Sequence, residues 1–235
     1  MLLLRKNMLV QFSLMLLSTS LFSDSNQSLL NLPVSNKTCD GAKVKKFFRQ
    51  DFESLGVKYL DASDYKVDKG LTPPTPATSL SINERKNLQT YRQDVADHKE
   101  IAWHLELIDD TVGYGVFADE DIIRGQYVAE YTGAMVNEEY INEHQPFDLK
   151  YSWTVMPPIY CAAPKKFVVD ALNEGNFTRY INHSYDPNVL ALVVYCQNEW
   201  HMIYVACKEI KMGQQLLVDY GKGYWYNREP QDLKE

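Results

Sequence analysis

The 235-residue sequence has no Cys-x-x-Cys pair and no Cys-His cluster; its four cysteines, Cys39, Cys161, Cys196 and Cys207, are scattered. That spacing signals neither a zinc site nor a disulfide framework, so buried thiols are the default, with one bridge conceivable in an exported protein. A basic excess is also missing, since 24 Lys and Arg stand against 31 Asp and Glu for a net charge of -7. Direct nucleic-acid binding is therefore not expected, because it requires a basic footprint to displace counterions. The acidic balance suits a basic partner, although solubility alone would also explain it. No apolar run is long enough for a comfortable membrane span, and no internal repeat occurs. Gly113-Tyr114-Gly115 lacks the third glycine and following helix of a dinucleotide fold; a β-forming run, Val116-Phe117-Ala118, follows instead.

What is present starts with a basic Arg5-Lys6, an apolar run from Met8 to Leu17 and small residues Ser18-Thr19-Ser20. This is the layout of an export signal over 1–23, with cleavage after Ser20 or Ser23; an uncleaved anchor and a helix of the folded protein are the alternatives. The expectation is a secreted or exported protein, with a cytoplasmic or membrane-tethered one as the alternative.

Residues 24–100 read as an N-terminal helical extension with a Pro/Thr-rich linker. Asp40 is placed to cap a helix carrying Val44, Phe47, Phe48, Phe52 and Leu55, and Thr72-Pro73-Pro74-Thr75-Pro76 cannot continue one. A second helix is expected over Ile82 to His98, with Leu88, Tyr91 and Val95 on its apolar face. From Ile101 the period becomes two, placing Trp103, Leu105 and Leu107 inward and His104 on the surface of a strand. Further strands are expected over Tyr127–Tyr131, Tyr151–Val155, Lys166–Asp170 and a hairpin Leu190–Cys196 with Trp200–Ala206, and a short helix over Met135–Glu143.

The most ordered polar stretch runs from Asp170 to Asn188, D-A-L-N-E-G-N-F-T-R-Y-I-N-H-S-Y-D-P-N. Here the chain resembles the SET-domain protein-lysine methyltransferases, whose signature is an R-F/Y-I-N-H-S-x-x-P-N run. Gly113-Tyr114-Gly115-Val116, Glu130-Tyr131-Thr132-Gly133 and Gln215-Leu216-Leu217-Val218-Asp219-Tyr220-Gly221 match three further family motifs in the family's order, with Gln215 where Glu is common. The resemblance covers about half the chain.

It implies a mainly β fold with short helices: small curved sheets closed by a C-terminal pseudoknot, here as a domain over 101–222 with an aromatic and charged tail over 223–235. It also implies S-adenosyl-L-methionine as cofactor and transfer of a methyl group to the ε-amine of an exposed lysine in a protein substrate, histone above all. Tyr220 and Tyr131 resemble the family's channel tyrosines and are the candidate catalytic residues. Gly113, Tyr114, Gly115, Arg179, Tyr180, Asn182, His183 and Tyr220 are the candidate cofactor-binding residues, with Arg179 equally readable as a structural ion-pair partner. Tyr151, Trp153, Tyr195, Val218 and Trp225 are the candidate walls of the substrate channel.

Tyr185 stands where many histone-directed members have a zinc-binding Cys, and the tail has no cysteine, so no metal is expected. Val218, two residues before Tyr220, is too small to hold the water that limits methylation in some members. Di- or trimethyl-lysine is the expected product unless Tyr195 or Tyr204 fills that space. Two other readings are a catalytically silent SET-fold module that binds lysine-bearing peptides and an exported structural protein; retention of Tyr131, Asn182, His183 and Tyr220 together weighs against both. The SET signature with an export signal resembles a bacterial effector acting on host proteins.

Overall fold

The structure is a computed structural model and describes residues 44–64, 80–137, 149–155, 167–197 and 199–225. All of these belong to the compact unit Lys43–Glu235. The export-signal segment, the Pro/Thr-rich linker, Cys39 and Cys161 lie outside the described residues.

Among the described residues the chain forms thirteen short strands in four small sheets. β1 (Lys46–Phe47), β3 (Trp103–Asp109) and β4 (Gly113–Ala118) make one, in that order. β2 (Lys58–Tyr59) and β9 (Glu174–Gly175) pair in parallel. β6 (Ala134–Asn137), β8 (Phe167–Asp170) and β7 (Ser152–Val155) form a third sheet with β8 central. The largest has the order β10 (Asn182–His183), β13 (Leu217–Val218), β11 (Val189–Cys196), β12 (Glu199–Ala206) and β5 (Tyr127–Glu130).

The β11–β12 hairpin is in unbroken register from Val189↔Ala206 to Cys196↔Glu199, turning at Gln197 with φ +53°. Its two faces bury different partners. Trp200, Met202, Tyr204 and Ala206 face the main core, whereas Ile203 and Val205 meet Tyr91 and Val95 of α1 (Ile82–Ala96). α1 is started by a capping box in which Ser81 Oγ accepts from Glu84 N–H and the Glu84 carboxylate accepts from Ser81 N–H. Its buried side chains, Tyr91 and Val95 with Leu88 beside them, are those of the expected apolar face.

Three expectations are corrected. The helix over Val44–Leu55 is instead β1 followed by a 3-10 turn, Arg49–Leu55, ended by Gly56 at φ +74°. Phe47 pairs with Leu105 at a sheet edge and Phe52 is buried against Tyr59, Trp103 and Tyr180, so tertiary contacts override the helical spacing. Met135 lies in β6, opposite Val169, because its buried side chain serves the core from a strand; Glu143 lies outside the described residues. His104 is buried, with Nδ1 2.7 Å from Asp119 and Nε2 2.9 Å from Glu106, while Leu107 is exposed where the β3–β4 register slips.

His201 ties β12 to β5. Its Nδ1 lies 2.7 Å from the buried Glu130 carboxylate and its Nε2 3.1 Å from the Cys196 carbonyl. Both neighbours are acceptors, so the ring carries both protons. Burial opposes that charge, but the hydrogen bond and charge of Glu130 outweigh it and raise the pKa above the ordinary histidine value. A raised folded-state pKa contributes stability that is fully present below about pH 6.5, the unfolded value, and lost as pH rises through the folded value. The melting temperature is expected to fall by a few degrees as the buffer moves from neutral into the alkaline range. His201→Gln should lower stability at neutral pH and flatten that slope; an unchanged slope would show that the proton is not held there.

Candidate active site

Carboxy-terminal threading creates the site. The segment Gln215–Tyr220 passes through the loop Asn182–Asn188, with β13 parallel to β10 in the register Asn182↔Leu217 and His183↔Val218. Asn188 grips it on both sides: its Oδ1 accepts from Leu217 N–H (2.8 Å) and its Nδ2 donates to the Gln215 carbonyl (2.8 Å). Main-chain bonds Ser184 N–H to Val218 O and Asn188 N–H to Leu217 O, both 3.0 Å, complete the crossing. This is the expected pseudoknot, and it delivers Tyr220 to His183, 37 residues earlier in the chain.

Tyr220 is held at both ends. Its N–H donates to His183 Nδ1 (3.2 Å), which places the ring proton on Nε2, and its hydroxyl donates to the Ile181 carbonyl (2.9 Å). Around it stand aromatic rings in mostly edge-to-face contact. Trp153 lies 6.4 Å from Tyr220, Tyr131 6.5 Å from Trp153, and Tyr204 6.1 Å from Tyr131 and 6.3 Å from Trp153. Tyr224 closes another side at 4.6 Å from Tyr220. The Tyr131 hydroxyl donates to the Tyr151 carbonyl (2.6 Å). Burial, the first cause in each case, pushes the phenols of Tyr131, Tyr204 and Tyr220 above their ordinary value. All three stay neutral at physiological pH.

The strand Gly113-Tyr114-Gly115 is tied to the site by the bond from Asn182 Nδ2 to the Tyr114 carbonyl (3.1 Å). Its glycines serve different needs. Gly113 turns the β3–β4 hairpin at φ +80°. Gly115 lies against the Gln215 side chain, whose amide end would have to shift to admit a Cβ there.

Arg179 is buried, with Nε 2.7 Å from the Ala171 carbonyl and Nη2 3.1 Å from the Leu172 carbonyl. Its guanidinium lies 3.8 Å from the Tyr151 ring and 4.6 Å from that of Tyr180. These contacts make it a brace, through carbonyls and ring faces, between the Ala171-Leu172 turn and Tyr151. Tyr180 packs its ring on Phe52, Tyr114 and Tyr151.

Tyr131, Trp153, Tyr220 and the Asn182-His183 loop are brought together as the sequence suggested, with Val218 buried beneath. Tyr195 packs against the same core, opposite Trp200 and 4.9 Å from its ring, four residues along β11 from the Ala191↔Tyr204 rung. Trp225 ends the short helix α2 (Lys222–Trp225), and its side chain lies outside the described residues. Tyr204, raised only as a substitute, and Tyr224, unnoticed in the Gly-Tyr-Trp-Tyr run, are the additions. The alternation Trp200, Met202, Tyr204 along β12 carried the signal for the former. Among the described residues no three His, Cys, Asp or Glu side chains are grouped to hold a metal ion.

Residues 113–221 match the SET domain family. The chain carries a SET domain. Over 115 residues it is 36% identical to histone-lysine N-methyltransferase EZH2 of Chaetomium thermophilum, covering 48% of this chain and 8% of that one. Putative histone-lysine N-methyltransferase ASHH4 of Arabidopsis thaliana is 35% identical over 109 residues, 46% of this chain and 30% of its own length. The chain thus spans less than a third of the length of these curated relatives. The crystal structure of ATXR5 in complex with histone H3.1 mono-methylated on R26 shares the fold, with a TM-score of 0.54 at 21% identity over 73% of this chain and 84% of that one. The SET fold is therefore present as small β-sheets with a threaded C-terminal segment.

Proposed function

We propose that this SET domain is an S-adenosylmethionine-dependent protein-lysine N-methyltransferase acting on a histone or histone-like basic protein. The observation that carries the reading is the enclosure of Tyr220 by neutral rings beside the Asn182-His183 loop. Similarity to relatives named as histone-lysine N-methyltransferases supports both the activity and the substrate class.

The donor set fits the cofactor. Neutral hydroxyls, an amide and π faces suit a sulfonium, which needs no counter-charge in direct contact when ring faces are available. When bound, the cofactor supplies an electrophilic methyl group, which leaves sulfur as a thioether while the nitrogen lone pair forms the new bond.

The protein's part is to present a neutral amine in line. Lysine has a reference pKa of about 10.4, and Tyr131, Trp153, Tyr204, Tyr220 and Tyr224 would meet it with rings and neutral hydroxyls. Burial there favours the neutral form. With its own pKa raised, the Tyr220 phenol is a poor base, so the proton leaves to water and Tyr220 aligns the nitrogen. Most of the acceleration then comes from positioning in a dry channel.

Radiolabelled methyl transfer to histones and to the protein itself tests the reading: label is expected on a histone lysine. Binding of lysine peptides without any transfer would favour the silent module instead.

The degree of methylation turns on Tyr204. Its ring stands against those of Tyr131 and Trp153, and its hydroxyl is able to donate a hydrogen bond. Lower methyl-lysine states should therefore dominate, and Tyr204→Phe should move the product toward trimethyl-lysine in mass spectra under excess cofactor. An unchanged product distribution would remove Tyr204 from that role.

Export belongs to the same proposal. The basic start, apolar run and small residues of 1–23 support a cleaved signal, and no helix among the described residues is long and apolar enough to cross a membrane. Secreted material is expected to begin after Ser20 or Ser23 by intact mass; an unprocessed chain in the exported fraction would count against cleavage.

A further inference from the structure

Tyr131 is gripped on both sides by one residue. Asn176 Nδ2 donates to the Glu130 carbonyl (2.7 Å), and Asn176 N–H donates to Thr132 Oγ1 (2.9 Å). The Thr132 hydroxyl in turn donates to the Leu60 carbonyl (2.7 Å), so its proton and a lone pair are both used. Asn176 Oδ1 accepts from Thr178 N–H (3.2 Å) and Thr178 Oγ1 (2.5 Å), starting the 3-10 turn Phe177–Tyr180. Thr132, Asn176 and Thr178 are all but sealed from solvent, with exposures of 0%, 0% and 1%.

Backbone packing makes this join tight. A Cβ on Gly175 would lie 2.8 Å from the Thr132 carbonyl oxygen, and one on Gly133 would lie 2.4 Å from the Asp170 carbonyl oxygen. The two chain segments therefore meet backbone to backbone, and little can shift except through the hydrogen bonds themselves. On one side the network ends at the Tyr131 ring. On the other, the turn that Asn176 starts leads straight to the Ile181 carbonyl, which accepts from Tyr220, and to Asn182 and His183.

We propose that Thr132 is a positioning residue for methyl transfer: its hydroxyl, locked between Asn176 and Leu60, sets the Tyr131 wall of the channel relative to the Ile181–His183 loop that holds Tyr220. The assignment rests on the methyltransferase reading for its kinetic consequence, but the coupling between the two arms is independent of it. The variable third position of the E-Y-x-G motif thereby acquires a specific role in this chain, because a residue of other chemistry could not both accept from Asn176 and donate to Leu60.

Thr132→Val keeps the shape and removes the hydroxyl, whereas Thr132→Ser keeps the hydroxyl and removes the methyl. Indole and amide NMR spectra of the full chain provide a readout that does not depend on activity. Thr132→Val should shift both the Trp153 indole signal and the Asn182 and His183 amide signals, and Thr132→Ser should leave them close to wild type. In methyl-transfer assays well below the melting midpoint, Thr132→Val should lower kcat roughly ten- to a hundredfold while KM for the peptide changes little. Movement confined to residues touching Thr132, with only the melting temperature lowered, would overturn the proposal, as would a Thr132→Ser variant as impaired as Thr132→Val. A wild-type protein that methylates nothing would instead sink the functional reading, and the spectra would still decide the coupling.

Discussion

Tyr220→Phe is expected to reduce turnover by roughly ten- to a thousandfold, the scale of losing one positioned polar group, with the fold and cofactor affinity retained. The ring contacts with Trp153, His183 and Tyr224 survive in phenylalanine, and the bond from residue 220 to His183 is made by the main chain. What disappears is the hydroxyl bonded to the Ile181 carbonyl at 2.9 Å, the only part of the side chain able to orient an amine. Label incorporation and calorimetric titration with S-adenosylmethionine separate the two effects. Because burial, Tyr224 and Tyr151 keep the phenol neutral, the rate should climb with pH as the substrate lysine loses its proton, without a downward break from Tyr220 in the physiological range. Unchanged turnover in the phenylalanine variant would remove Tyr220 from the chemistry.

Arg179→Ala should act on stability. The variant strands the buried Ala171 carbonyl and the Leu172 carbonyl and empties the space between the Tyr151 and Tyr180 rings. Unsatisfied carbonyls and lost packing together are worth about 3–5 kcal/mol, a melting temperature lower by roughly 10 °C for a domain of this size. Lysine should not rescue it, since an ammonium lacks the planar fork that reaches both carbonyls while lying on two rings. A variant that melts like the wild type but binds the cofactor far more weakly would return Arg179 to the cofactor-contacting set in which its motif had placed it.

Arg179 illustrates where sequence reasoning stops. The order of the four motifs was enough to anticipate the SET fold, the threading of the C-terminal strand and the convergence of Tyr131, Trp153, Asn182, His183 and Tyr220. Local signals were legible where neighbours in sequence decide the outcome: the Ser81–Glu84 capping box opens α1, and the turn between Cys196 and Glu199 makes the hairpin. They misled where distant residues decide it. Phe47, Phe52 and Leu55 recur at helical spacing, yet edge pairing with Leu105 and burial against Trp103 make that stretch a strand and a 3-10 turn.

Composition, motif order and residue chemistry alone therefore determined which fold and which reactive groups this chain carries, because those depend on identities that are present whether or not the chain is folded. Only the tertiary structure decided what each group does. Arg179 braces the Ala171 and Leu172 carbonyls across a turn, while Gly115 lies against the Gln215 side chain and Tyr204 packs on Tyr131, and these last two contacts join residues far apart in sequence whose meeting no local pattern encodes.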